Sequence, residues 1–168
     1  MNKLIIGNIL CFAASVIMTL MGFIKDRRRF LSAQCLMNAV FIAGNLTLGG
    51  VSGAIANAVT FIRNIVCLRF DISKALKLFF IALQLAASAY FGCSGLIMWL
   101  PIIGNCLFTW FIDSENMLLL KGTIIAAQLM WCVYDLSILN YATVPFDIAA
   151  AVTNFVSVIG ILRQRKSY

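Results

Sequence analysis

The sequence predicts an all-α integral membrane protein with seven transmembrane helices. Of the 168 residues, 62% are hydrophobic and only 11% are charged, whereas soluble domains average nearer half apolar and a quarter charged. The apolar residues form continuous runs long enough to span a bilayer, rather than the alternating pattern of a membrane barrel. The net charge is +7, and most of the Lys and Arg residues follow every second apolar run.

Seven segments reach the 17 to 20 or so apolar residues that a spanning helix needs. They are Leu4–Ile24, Leu31–Leu48, Val51–Leu68, Leu76–Gly92, Gly95–Ile112, Met117–Leu136 and Phe146–Leu162. The first is too long for a signal-peptide core and basic residues follow it, so we expect it to be retained. Gly49-Gly50 and Gly92–Gly95 predict tight turns. Six spans are the alternative, if either pair joined by these turns is a re-entrant hairpin.

Basic residues follow the odd-numbered spans and are absent from the even-numbered loops. They are Lys25, Arg27, Arg28 and Arg29, then Arg69, Lys74 and Lys77, and finally Arg163, Arg165 and Lys166, with only Lys121 near the fifth loop. The positive-inside rule therefore predicts cytoplasmic odd loops, a cytoplasmic C-terminus and an external N-terminus. This distribution favours a role of the charge in topology over a nucleic-acid-binding patch.

A weak internal repeat suggests two similar units. Ile5-Ile6-Gly7-Asn8 matches Ile102-Ile103-Gly104-Asn105 at an offset of 97 residues (105 minus 8), and Asn57 matches Asn154 at the same offset. Two parallel three-helix units need one helix between them, which predicts a 3+1+3 plan with a pseudo-axis along the membrane normal. The units would be residues 1–70 and 94–168, the latter with the basic tail, joined by a linking helix in residues 71–93.

Asn57 and Asn154 are the main candidate substrate-binding residues. Each lies about 18 Å along its helix from a basic residue at the helix end, at 1.5 Å per residue, and so near the bilayer midplane. Amide groups suit a neutral polar solute such as a sugar or nucleoside. The alternative is that the two amides bond across helices and only stabilise the fold.

Four further residues are weaker candidates for the same site. Arg63 lies inside the membrane, where it can snorkel, pair with a carboxylate or bind an anionic group. Asp135 follows Trp131, and this pair forms either an interfacial anchor or a wall of the site. Asn38 aligns with Asp135 in the repeat. Asp147 is expected to cap the last helix.

Pro101 and Gly104 form a candidate hinge in the fifth span. Proline removes one backbone hydrogen bond, and glycine permits close helix packing. Transmembrane helices also tolerate proline without any role in motion.

Catalytic and metal-binding patterns are missing from the sequence. There is no His, the common acid–base residue, the acidic residues are scattered, and no nucleotide-binding motif occurs. The six cysteines lie mostly in apolar runs and are interpreted as small apolar fillers. We therefore expect no enzyme activity, no metal site and no cofactor.

Three segments carry a resemblance to a known family. Gly53-Ala54-Ile55-Ala56-Asn57, the pair Arg63-Asn64, and Trp99-Leu100-Pro101-Ile102-Ile103-Gly104 resemble the YgjV-type bacterial inner membrane proteins over nearly the whole chain. That resemblance implies a multi-pass protein of the bacterial inner membrane.

The 3+1+3 plan is more distantly similar to SWEET sugar transporters and PnuC-type vitamin transporters. The SWEET resemblance implies that Asn57 and Asn154 face a substrate. The Pro-Gln motif of SWEETs is absent, and Leu4 stands where a matching proline would align with Pro101.

The sequence thus predicts a small transporter or facilitator that moves a polar small molecule by alternating access. Passive movement is favoured, since no proton relay is evident. The alternative is a non-transporting inner membrane protein that acts in assembly or as a partner- or lipid-binding scaffold. The expected partners are the lipid bilayer and a small polar solute, and not nucleic acid. The sequence leaves open whether the chain forms a homo-oligomer.

Overall fold

The computed structural model describes residues 2–21, 23–24 and 26–166, without the side chains of residue 27 and residues 164–166. Some of the basic residues that predict the orientation are therefore not fully described. Lys25 lies wholly outside the described residues, and the side chains of Arg27, Arg165 and Lys166 are not described. Within the described ranges the chain forms seven helices and no strand.

The helices are α1 (Lys3–Met21), α2 (Arg27–Leu48), α3 (Val51–Cys67), α4 (Lys74–Tyr90), α5 (Leu96–Phe111), α6 (Met117–Ser137) and α7 (Val144–Lys166). Each coincides with one predicted span, and most ends agree within a few residues.

Local capping explains where α2 and α7 begin. Asp26 accepts a hydrogen bond from the backbone of Arg29 at 2.8 Å, which is the N-cap arrangement, so α2 starts four residues before the predicted Leu31 and includes basic residues. Pro145 lies in the first turn of α7, where its missing N–H is not needed. Hydropathy alone does not reveal either start.

Four helices are long and apolar enough to cross a membrane: α1, α2, α6 and α7. The apolar helices α3 and α5 have 17 and 16 residues, or about 25 Å at 1.5 Å per residue, a little short of a typical hydrocarbon core. The 17-residue α4 carries Lys74 and Lys77 in its first turns. The protein is therefore a helical membrane protein with several spanning helices.

The helices pack as two groups. In the first, α2 packs against α1 and α3; in the second, α6 packs against α5 and α7. The groups meet where α3 packs against α5, and α4 contacts both of these helices. The predicted tight turns are present: Gly49 has a φ of 81° at the end of α2, and Gly92 and Gly95 have φ of 66° and 94° before α5. Glycine adopts this left-handed region without steric cost.

Close packing of α1 on α2 depends on Gly44. A Cβ at this position would lie 2.5 Å from Cys11 Sγ, and the buried residues Cys11, Ala14, Met37 and Phe41 form the apolar contact beside it. Small residues serve this purpose in membrane helix pairs, because lipid offers no hydrophobic drive for association.

Candidate functional site

A cavity of about 380 Å³ lies between the two helix groups. This volume is within the range of small-molecule sites. Phe30 and Asn45 both line it and are about 22 Å apart along α2 at 1.5 Å per residue, so the cavity is elongated along the helices. Its polar lining includes Gln34, Asn38, Asn45, Asn57, Thr60 and Gln128.

Most of the predicted site residues line this cavity. Asn38, Asn57, Arg63, Gly104, Trp131 and Asp135 all contribute to its wall. Pro101 is buried inside α5 but is not part of the wall. Gly104 makes a packing contact, since a Cβ there would lie 3.3 Å from the Cα of Ala127 on α6.

The structure does not bring Asn154 to the cavity. Its amide donates to the backbone oxygen of Ala150 at 2.8 Å, and the adjacent Thr153 and Phe155 are exposed. The physical reason is that α7 packs mainly against α6, so most of its surface beyond the first turns has no protein neighbour. Asn57 and Asn154, which the repeat pairs, therefore do not meet in one site.

Asn38, Asn45 and Asn57 face the cavity with similar geometry. Each donates to the backbone carbonyl four residues earlier in its own helix, at 2.7 to 2.9 Å. An amide has a second donor and an acceptor oxygen, which this bond leaves free for other partners. The Oδ1 atom of Asn45 is buried and has no hydrogen-bond partner among the described residues.

A polar network that the sequence did not predict forms one side of the cavity. Asn105 on α5 donates to Gln84 of α4 at 2.7 Å and to the backbone oxygen of Ala56 on α3 at 3.2 Å. Thr60 of α3 donates to the Oδ1 atom of Asn105 at 3.1 Å. These bonds join α3, α4 and α5, and they satisfy amides that would be costly to bury alone.

Arg63 does not snorkel, because its side chain is only 2% exposed. One guanidinium nitrogen donates to Thr109 Oγ1 at 2.7 Å, another reaches Asn64 Oδ1 at 3.5 Å, and the ring centroid of Phe108 lies 5.9 Å from the guanidinium carbon. In the part of the chain that the structure describes, no carboxylate forms an ion pair with Arg63. Arg63 is thus a buried cation at one end of the cavity, for which the described residues supply no carboxylate counter-ion.

The other end contains two carboxyl groups in contact. Asp135 at the end of α6 and Asp147 at the start of α7 lie within hydrogen-bonding reach of each other, and both line the cavity. They are 2% and 4% exposed. Asn140, in the loop between these helices, donates to Asp135 at 3.0 Å.

This carboxyl pair corrects one expectation, because the acidic residues are not all isolated. Asp147 lies in the first turn of α7, as expected, but its side chain is buried. Its Oδ2 atom is buried without a hydrogen-bond partner within the described ranges. The sequence does contain a signal for this pair. Consecutive antiparallel helices place the end of one beside the start of the next, so acidic residues on the two sides of a short loop can meet.

Tyr134 and Asn8 fix the helix ends around the carboxyl pair. The fully buried Tyr134 accepts a hydrogen bond from the backbone N–H of Gly53 at 2.9 Å. Asn8 of α1 donates to the backbone oxygen of Leu139 and accepts from the N–H of Ala142, both at 3.0 Å. The loop between α6 and α7 is therefore fastened to α1, and α6 to α3.

The family comparison agrees with this arrangement of apolar helices. Residues 5–165 match the family model Imp-YgjV, described as a bacterial inner membrane protein. The chain belongs to the Imp-YgjV family. No curated protein matches the chain, and no solved structure does. The Imp-YgjV assignment and the spanning helices together identify a multi-pass protein of the bacterial inner membrane.

The wall of the cavity combines amides, two threonines, aromatic rings and charged groups of both signs. Trp131 and Tyr134 make an edge contact with ring centroids 5.8 Å apart, which holds Trp131 beside the carboxyl pair. Across the described residues, no group of three or more His, Cys, Asp or Glu side chains has the arrangement of a metal centre.

Proposed function

We propose that this Imp-YgjV protein is a small transporter or facilitator of a polar solute, and not an enzyme. The observation that carries the proposal is a half-open cavity of about 380 Å³ between two groups of apolar helices, whose largely apolar wall is interrupted by amide, hydroxyl and charged side chains. Polar groups inside a membrane protein are costly and are usually retained for a pathway or a binding site. A purely structural role of Asn57 would favour direct bonding to another helix, whereas its side chain faces the cavity.

The helix packing supports alternating access between the two groups. The contacts within α1–α2–α3 and within α5–α6–α7, with α4 against α3 and α5, support a 3+1+3 plan in which α4 is the linking helix. Motion of one group against the other would change access to the cavity at its ends. We propose Asn38, Asn57, Arg63, Trp131 and Asp135 as solute contacts.

We also propose that the C-terminus is cytoplasmic and the N-terminus external. Arg69 lies between α3 and α4 and Lys74 begins α4, whereas the loops at the opposite ends of the helices hold no Lys or Arg. The positive-inside rule then assigns the Arg63 end of the cavity to the cytoplasmic side and the carboxyl pair to the external side.

The test is thermal stabilisation of the purified protein by a panel of sugars, nucleosides and vitamins, followed by uptake of any hit into proteoliposomes. A ligand that binds only the folded state raises the melting temperature. We expect Asn57→Ala to abolish the stabilisation and the uptake, and Asn154→Ala, a matched substitution outside the cavity, to retain both.

Uptake that survives in Asn57→Ala would refute the assigned site. A panel without hits, together with co-purification of a partner protein, would favour the alternative role in assembly.

A further inference from the structure

Several buried oxygen atoms near the carboxyl pair have no hydrogen-bond partner among the described residues. They are Oδ1 of Asn45, Oδ1 of Asn140, Oγ1 of Thr143 and Oδ2 of Asp147. These four residues are at most 4% exposed, and buried polar atoms in native proteins are nearly always satisfied. Three of them also line the cavity: Asn45, Thr143 and Asp147.

Three of these atoms, on Asn140, Thr143 and Asp147, lie around the carboxyl pair, and Asn140 and Thr143 also face the thiol of Cys11. Asn140 donates to Asp135, the backbone of Asp147 bonds the carbonyl of Thr143 at 3.1 Å, and the two carboxyl groups contact each other. Asn45 Oδ1 lies farther away, beside the ring edge and hydroxyl of Tyr134. Carboxylate and amide oxygens accept hydrogen bonds and a threonine hydroxyl can do so, so a group that donates hydrogen bonds or carries positive charge fits this cluster.

Among the side chains that the structure describes, no basic group lies at the pair to supply that charge. The titratable groups facing the pair are the thiols of Cys11 and Cys132 and the phenol of Tyr134. Arg63 lies ten residues beyond Gly53 on α3, or about 15 Å away at 1.5 Å per residue. Two ionised carboxyl groups this close together are unfavourable in a membrane interior unless a proton or a cation lies between them.

We propose that the oxygen atoms around Asp135 and Asp147 bind a positively charged group, either a hard metal cation or the ammonium group of the transported solute. Carboxylate, amide and hydroxyl oxygens are the ligands that hard cations prefer, and an ammonium group offers donors to the same acceptors. The site extends the proposed function, and it rests on that proposal only because both use the same cavity. It gives the cavity a cation-binding end opposite Arg63.

The experiment measures the melting temperature of the purified full chain in NaCl, MgCl₂ or methylammonium chloride, with tetramethylammonium chloride as the reference at equal ionic strength. Tetramethylammonium carries the same charge but has no N–H donor. Tryptophan fluorescence, to which Trp131 beside Tyr134 contributes together with Trp99 and Trp110, follows binding as a second signal. We expect saturable stabilisation by at least one of the three salts relative to the reference.

Variants assign the effect to the site. Asp147→Asn should weaken the apparent affinity by about tenfold or more, since even indirect ligands of a cation contribute that much. Thr143→Val keeps both carboxyl groups and should weaken binding to a smaller extent. Asp113→Asn removes an equal charge from a partly exposed residue after α5 and should leave the affinity unchanged.

The outcomes separate the two sources and the two proposals. Stabilisation by Na⁺ or Mg²⁺ identifies a metal cation, and stabilisation by methylammonium alone identifies the solute's own ammonium group. No salt exceeding the reference, or an effect that persists in both Asp147→Asn and Thr143→Val, would overturn the cation site. Solute hits that depend on Asn57 would then still support the proposed transport function.

Discussion

Removal of one hydroxyl group, in Tyr134→Phe, tests the contact between the two helix groups. Gly53 is the third residue of α3, so its N–H has no acceptor within the helix. The Tyr134 oxygen, 2.9 Å away, is its partner. The variant keeps the ring and its packing but leaves this buried N–H unsatisfied.

The expected loss follows from two magnitudes. An interhelical hydrogen bond in a membrane protein contributes about 1 kcal/mol, and leaving a buried donor unsatisfied costs about 1 to 3 kcal/mol. For a chain of this length, each kcal/mol lowers the melting temperature by about 2 to 4 °C. We therefore expect Tyr134→Phe to melt about 2 to 12 °C below the parent protein.

The assay is thermal unfolding in detergent, followed by near-ultraviolet circular dichroism. Tyr90→Phe is the matched control, because Tyr90 is 84% exposed and should melt with the parent. Equal melting temperatures for Tyr134→Phe and the parent would refute the argument that this phenol satisfies the start of α3.

Three further substitutions have expected outcomes. Asn105→Ala should reduce the free energy of unfolding by about 1 to 3 kcal/mol and so lower the melting temperature, because it breaks bonds among three helices. Asn154→Ala should change the melting temperature little. Gly53→Ala should cost about 1 to 3 kcal/mol by overpacking, as its Cβ would lie under 3.0 Å from two side chains; a native-like melting curve would contradict this. The ammonium group of Lys77 bonds Asp113 and lowers the pKa of that carboxyl group. This ion pair therefore stabilises the fold above the ordinary carboxyl pKa, and the stabilisation is lost as the pH falls through the lowered pKa. The melting temperature of Asp113→Asn should be lower than that of the parent at pH 7, and the two should converge in strong acid.

The helices were predictable from the sequence because membrane spans depend on local properties. Runs of apolar residues set the number and approximate length of the helices, and glycine pairs mark the tight turns. The start of α2 shows the limit, since it depends on the cap formed by Asp26, which hydropathy does not register.

The site was only partly predictable because it depends on helix packing. Asn57 and Arg63 were identified as polar residues inside an apolar helix, and both line the cavity. Asn154 has the same local signature, yet α7 has too few neighbours to enclose it. Helix contacts also determine that Asp135 and Asp147 meet, and that Gln84 bonds Asn105.

The attachment of Asn8 to the loop between α6 and α7 has a consequence for biogenesis. Its two bonds join residues 131 and 134 positions apart in the chain. At 5 to 20 residues per second, a ribosome takes about 7 to 26 s to make that intervening length. Until nearly the whole polypeptide has emerged, Asn8 can therefore make only its bond to the carbonyl of Leu4 within α1, so the attachment of α1 to this loop forms late in synthesis.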